Sequence, residues 1–221
     1  VADITEMTTL LDQKKSNAGN RRATSEEKDY YSSIRSYIRI LAPFYDTGTF
    51  FVSSLRTKVA DVTNARKGAR ILDVGTGTGK QAFAFAKRGF DVTGIDLSED
   101  MIKVAQTKNL YEHAQFQIGD AANLHFEDST FDVATVSFAL HDMIPAIRRK
   151  AVEEMVRVTK PHGTIVVVDY ALPKNRILRQ LVFSVVKLYE LYYAEFIGFD
   201  LKELLKDSGI EVSEEFHVLL G

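Results

Sequence analysis

Residues 70 to 87 constrain the fold more than any other stretch: Arg70-Ile-Leu-Asp-Val-Gly-Thr-Gly-Thr-Gly-Lys-Gln-Ala-Phe-Ala-Phe-Ala-Lys87. Ile71, Leu72 and Val74 read as the end of a buried strand. Gly75, Gly77 and Gly79 turn the chain, and Gln81 to Lys87 is rich in helix formers. A turn without Cβ atoms lets backbone lie close against a ligand, and the helix start points unpaired N–H groups at it. The stretch predicts a strand, a bare loop and a helix that together seat a nucleotide-like group.

Spacing narrows the ligand. A P-loop phosphate cradle needs four residues between its glycines and then Lys-Ser or Lys-Thr; here three residues separate Gly75 from Gly79, and Gln81 follows Lys80. The dinucleotide pattern Gly-x-Gly-x-x-Gly accommodates Gly75 and Gly77 but meets Lys80 where its third glycine belongs. A second short strand, Gly89 to Asp96, ends in an acid 21 residues after Gly75, the spacing at which a carboxylate accepts from ribose hydroxyls. A ribose is expected, and on these residues alone an NAD-dependent oxidoreductase stays open.

The remaining chain alternates helices and strands. Thr24-Ser-Glu-Glu27 has the form of a capping box, and Tyr30, Ile34, Tyr37, Ile38 and Leu41 follow at helical spacing, predicting a helix over 25–41 that Pro43 ends. A second helix is expected from about Thr49 to Asn64. Ser98 caps a helix to about Tyr111, a third strand runs from Ala114 to Ile118 and a fourth from Phe131 to Phe138. A helix from about Ile144 to Thr159, a turn at Pro161 to Gly163 and a fifth strand from Thr164 to Asp169 follow. The pattern predicts an α/β fold: a doubly wound, mostly parallel sheet with helices on both faces and ligands at the C-terminal strand edge. Gly75, Asp96, Asp120, Ser137 and Tyr170 fall at that edge. Residues 1–23 read as an arm. Residues 177–197 are apolar on most faces, yet Lys187, Glu190 and Glu195 interrupt a stretch barely long enough to span a bilayer. A short helix from Asp200, with Gly209 at its end, precedes an expected sixth strand from Glu211 to Leu220.

Four motifs in order resemble the class I S-adenosylmethionine-dependent methyltransferases, a Rossmann-like family. They are Asp73-Val-Gly-Thr-Gly-Thr-Gly79, Gly94-Ile-Asp-Leu-Ser-Glu-Asp-Met101, Gly119-Asp-Ala121 and Lys160-Pro-His-Gly-Thr-Ile-Val-Val-Val168. Within the family the chain is most similar to the ubiquinone and menaquinone biosynthesis methyltransferases and their relatives that methylate phospholipid amines or other small molecules. The resemblance implies an N-terminal helical arm or lid over 1–42 and a methyltransferase domain over 43–221, with a helical substrate-side insertion at about 173–199. It implies S-adenosylmethionine as cofactor and S-adenosylhomocysteine as product. The methionine portion would meet Asp73, Gly75, Thr76, Gly77 and Gly79, with its amine at the main chain of Ser137 and Phe138. Asp96 would accept from the ribose; Leu97 and Met101 would sandwich the adenine, whose amine and ring would meet Asp120 and Ala121. Tyr45 would belong to a lid. A seventh strand cannot be placed before Gly221, so a truncated C-terminus or a different sheet end is expected, and the start at Val1 suggests trimming.

Methyl transfer from a sulfonium is an in-line displacement, so the protein must chiefly hold the acceptor against the methyl and exclude water. His141, just past the fourth strand, is a candidate general base, and Tyr170 and Glu190 are candidate groups on the acceptor side. His113, His125, His162 and His217 are scattered singly, and no metal is expected. There are no cysteines, which excludes disulfides and thiolate chemistry, and the N-terminus has no apolar leader-like stretch. A net charge of −2 without a basic run argues against nucleic acid. The expected acceptor is a small, apolar quinone-like ring or lipid. Phospholipid amine methylation is the alternative, because Lys174, Arg176, Arg179 and Lys187 surround the apolar helix. A catalytically silent cofactor-binding protein is a further one. The expected location is cytoplasmic, with room for peripheral membrane contact, and no sign of an oligomeric state is present.

Overall fold

In the computed structural model, residues 24–41, 53–63, 65–169, 195–196 and 199–215 are described, with backbone alone at 35–41 and 53–54. The elements are α1 (Ser25–Leu41), α2 (Ser53–Val62), β1 (Arg70–Val74), α3 (Lys80–Ala86), β2 (Asp91–Asp96), α4 (Glu99–Lys108) and β3 (Ala114–Ile118). They continue with β4 (Phe131–Ser137), a single 3-10 turn (Leu140–Asp142), α5 (Pro145–Val158), β5 (Thr159–Val168) and α6 (Leu201–Asp207).

All five described strands are parallel, in the order β3-β2-β1-β4-β5. β1 lies at the centre because it is apolar on both faces, as a strand covered by helices on both sides must be. Leu72 and Val74 point to a core made with α1, α5 and α6, whereas Ile71 points to the opposite core beneath α2, α3 and α4. The expected doubly wound architecture is thereby present. Crossing from β3 back past β1 to β4 leaves a switch point at the C-terminal edge, between the ends of β1 and β4.

Local signals locate most boundaries. The capping box at α1 is complete: Thr24 N–H donates to Glu27 Oε2 at 2.9 Å, and Glu27 N–H donates to Thr24 Oγ1 at 3.2 Å. Ser98 Oγ accepts from Met101 N–H at 3.3 Å, capping α4 as expected. Three expectations change. α4 stops at Lys108 rather than near Tyr111, because Asn109 Oδ1 accepts from Tyr111 N–H and its amide donates to Ala114 O, turning the chain into β3. The expected turn at Pro161 to Gly163 sits inside β5: pairing with β4 jumps from Phe131↔Thr159 to Val133↔Thr164, so residues 160–163 bulge out of register. Gly163 is required there, since a Cβ would lie 2.8 Å from Asp132 O. The expected sixth strand from Glu211 to Leu220 has no strand pairing over 211–215, and 216–220 lie outside the described residues. Arm 1–23 and most of the apolar stretch 177–197 also lie outside them.

Candidate functional site

β1 delivers the glycine loop to the switch point. Gly75 has φ +66°, and a Cβ there would stand 2.7 Å from Ala139 Cβ, so only glycine lets the loop pass the β4 exit. Thr76 closes the turn, its N–H donating to Ile95 O at 2.9 Å and its hydroxyl to Asp73 Oδ2 at 2.6 Å. The acid at the end of β2 ties the loops together: Asp96 Oδ2 accepts from Gly77 N–H at 2.9 Å and Oδ1 from Ser98 N–H at 2.8 Å. Each oxygen keeps a second lone pair for a ligand hydroxyl.

Two buried acids therefore share this edge. Burial raises the Asp73 carboxyl from 3.8 to about 7, helped by the neighbouring Asp96 charge and opposed by the Thr76 hydroxyl, the Arg56 charge and the Ala82 N–H. Asp96 is raised by burial as well, opposed by the N–H groups of Ser98 and Gly77.

A cavity of about 100 Å³ opens above the strand ends. On one side it is lined by Gly75, Gly77, Asp96, Leu97, Met101, Asp120 and Ala121, all singled out in the sequence. The β4 exit supplies the other side, with Phe138, Ala139, Asp142, Met143 and Ile147; of these only Phe138 was anticipated. A smaller space of about 20 Å³ adjoins it, lined by Asp73, Gly75, Thr76, Ser137 and Phe138 together with Arg56, Thr78, Lys80 and Gln81. Within it, Ser137 Oγ and Gln81 Oε1 are buried with no hydrogen-bond partner among the described residues. Gly79 lines neither space; at φ +83° it caps α3, where a Cβ would come 2.9 Å from Phe83 Cζ.

His141 lies behind the cavity wall rather than on it. The residue is 3 % exposed, its Nδ1 is 2.7 Å from Asp169 Oδ1, and its Nε2 is 3.6 Å from Asp142 Oδ2. Asp142, near Nε2 but beyond hydrogen-bond reach of it, is the member of this group that lines the cavity. The turn bearing it is held by Arg148, fully buried on α5, which donates to Leu140 O at 3.0 Å and Met143 O at 2.6 Å. Tyr45, Tyr170 and Glu190 lie outside the described residues.

No residue of α1 was among the site residues expected from the sequence. Tyr30, Tyr31 and Ile34 line the cavity, and the Tyr31 hydroxyl donates to Asp120 Oδ2 at 2.7 Å. Tyr30 and Ile34 belong to the helical stripe that marked α1, whereas Tyr31 stands one position off it, a faint sign of a side chain aimed at the rim.

Residues 71–163 match the sequence profile of a family described as "Methyltransferase domain". The chain is 36 % identical over 146 residues to a demethylmenaquinone methyltransferase of Paenarthrobacter aurescens, covering 64 % of this chain and 56 % of that one. Its identity to the enzyme of the same name from Renibacterium salmoninarum is 38 % over 138 residues, 60 % of this chain and 56 % of the relative. The chain therefore spans little more than half the length of these relatives. Among solved structures, a chain from the complex of the Haloferax volcanii Trm112 methyltransferase activator superposes with TM-score 0.65 at 23 % identity, over 80 % of this chain and 77 % of the other. A Bacillus halodurans structure titled as a methyltransferase superposes with TM-score 0.59 at 27 % identity, over 73 % and 71 %.

Proposed function

We propose that this chain, which belongs to the class I S-adenosylmethionine-dependent methyltransferases, moves a methyl group from S-adenosylmethionine to a small apolar acceptor of the quinone type. The observation that carries the reading is the Asp96 carboxylate, fixed by two loop N–H groups at the mouth of the glycine turn. The residues present fit the cofactor. Gly75 and Gly77 bring bare backbone to the cavity, Asp96 offers lone pairs to a ribose, and the smaller space gathers Arg56 and Lys80 with Asp73, a pairing suited to an amino-acid zwitterion. The relatives' name supports a quinone-like acceptor.

S-adenosylmethionine supplies a methyl group already activated on a sulfonium. The chain's own task is to bind and orient. Met143, Ile147 and Phe138 give an acceptor ring an apolar wall against which to be oriented. Where the acceptor is a hydroxyl, Asp142 on the cavity wall would take its proton, with His141 and Asp169 behind it. Tyr170 and Glu190 remain candidates on the acceptor side.

Calorimetric titration of the wild type and Asp96→Ala with S-adenosylmethionine, S-adenosylhomocysteine and NAD tests this. The first two ligands bind at micromolar levels and Asp96→Ala loses both, with a melting curve to confirm that the variant is folded. Binding of NAD alone would overturn the reading. Methylation of a prenylated hydroquinone, rather than of phosphatidylethanolamine vesicles, then checks the acceptor class.

A further inference from the structure

We infer that Tyr31 determines specificity for the base of the nucleoside, holding Asp120 as a fixed acceptor that selects a 6-amino over a 6-oxo purine. This rests on the cofactor reading above and extends it to a residue of α1. Both Asp120 oxygens are engaged by the protein itself: Oδ2 accepts from the Tyr31 hydroxyl at 2.7 Å and Oδ1 from Ala122 N–H at 2.9 Å. Tyr31 and Asp120 both line the cavity.

The tyrosine is held by its helix, independently of the loop it contacts. The capping box fixes the start of α1, and Glu27, buried with its side chain 9 % exposed, accepts from Lys150 Nζ of α5 at 2.8 Å. Tyr30 and Ile34 sink into the core shared with α5. Tyr31 therefore reaches Asp120 across 89 residues of sequence from a docked scaffold. Two donors, one on each oxygen, lock the carboxylate's rotation and leave one lone pair per oxygen. An exocyclic amine can donate to such a group, whereas a 6-oxo group in the same place presents acceptor to acceptor. Removing the tyrosine hydroxyl leaves the Ala122 N–H as the remaining one of these two anchors, and the carboxylate is free to turn.

Tyr31→Phe tests the assignment. Wild type and variant are titrated calorimetrically with S-adenosylhomocysteine and with S-inosylhomocysteine, its 6-oxo analogue, while amide exchange of α1 is followed in each free protein. Wild type should prefer the 6-amino ligand by roughly a hundredfold or more. In Tyr31→Phe the affinity for S-adenosylhomocysteine should fall roughly tenfold and the preference should shrink, while exchange of α1 stays close to that of the wild type. An unchanged 6-amino to 6-oxo ratio would overturn the inference, even if both ligands bind more weakly, because Tyr31 would then serve only to dock the helix. If wild type binds neither ligand, the cofactor reading fails first and this one with it; faster exchange in the variant would still identify the tyrosine as a helix latch.

Discussion

Asp73 and Asp96 are carboxylates placed where burial disfavours their charge, and this has a measurable consequence. Asp73 titrates near 3.8 in an open chain and at about 7 when folded. The folded protein therefore holds this proton between those values, and the group's contribution to stability is complete below about pH 3.8 and lost as the pH rises to about 7. Asp73→Asn keeps an oxygen for the Thr76 hydroxyl but never ionises. Urea unfolding should find it more stable than wild type at pH 8, by on the order of 2 to 4 kcal/mol, with the gap closing toward pH 4. The sequence disclosed both acids because their surroundings are local: a strand end and a turn of fixed spacing force Asp73 and Asp96 to the same edge. Tyr31 and Asp142 were not legible in the same way. One meets its partner across 89 residues and the other sits on a turn held by the buried Arg148 of α5, so packing rather than apolar periodicity decides both.

Among elements, α1 is the clearest case of a helix whose start is written in sequence and whose use is not. Its box satisfies two of the N–H groups at the helix entrance, and the same Glu27 reaches Lys150. Thr24→Ala removes one half of the box and should cost about 1 kcal/mol in chemical denaturation, with faster amide exchange confined to the first turns of α1. β5 teaches the converse. Its Pro161-His-Gly163 signal predicts a turn before a strand, and the backbone does bend there, with His162 at φ +64°, but pairing with β4 at Thr159 draws the bend inside the strand. Sequence marks the bend; the neighbouring strand decides on which side of the boundary it falls. α4 ends short of the predicted Tyr111 for a similar reason, because the Asn109 side chain supplies a stop that apolar periodicity does not register.

For the molecule as a whole, occupancy of the site and stability of the fold are one equilibrium. A ligand that ties the loops after β1, β2 and β3 to one another at a hundred times its Kd should add about 2.7 kcal/mol to unfolding, a rise in Tm of roughly 5 to 10 °C. A thermal shift with S-adenosylhomocysteine measures this, and Asp96→Ala should abolish it. The strand order also divides the cavity. One wall comes from the ends of β1, β2 and β3, and the facing wall from the β4 exit and α5, on opposite sides of the switch point. The two walls are separate stretches of coding sequence. Descendants of this chain can thus drift on the far bank, after residue 137, and take up new guests while the near bank is inherited unaltered.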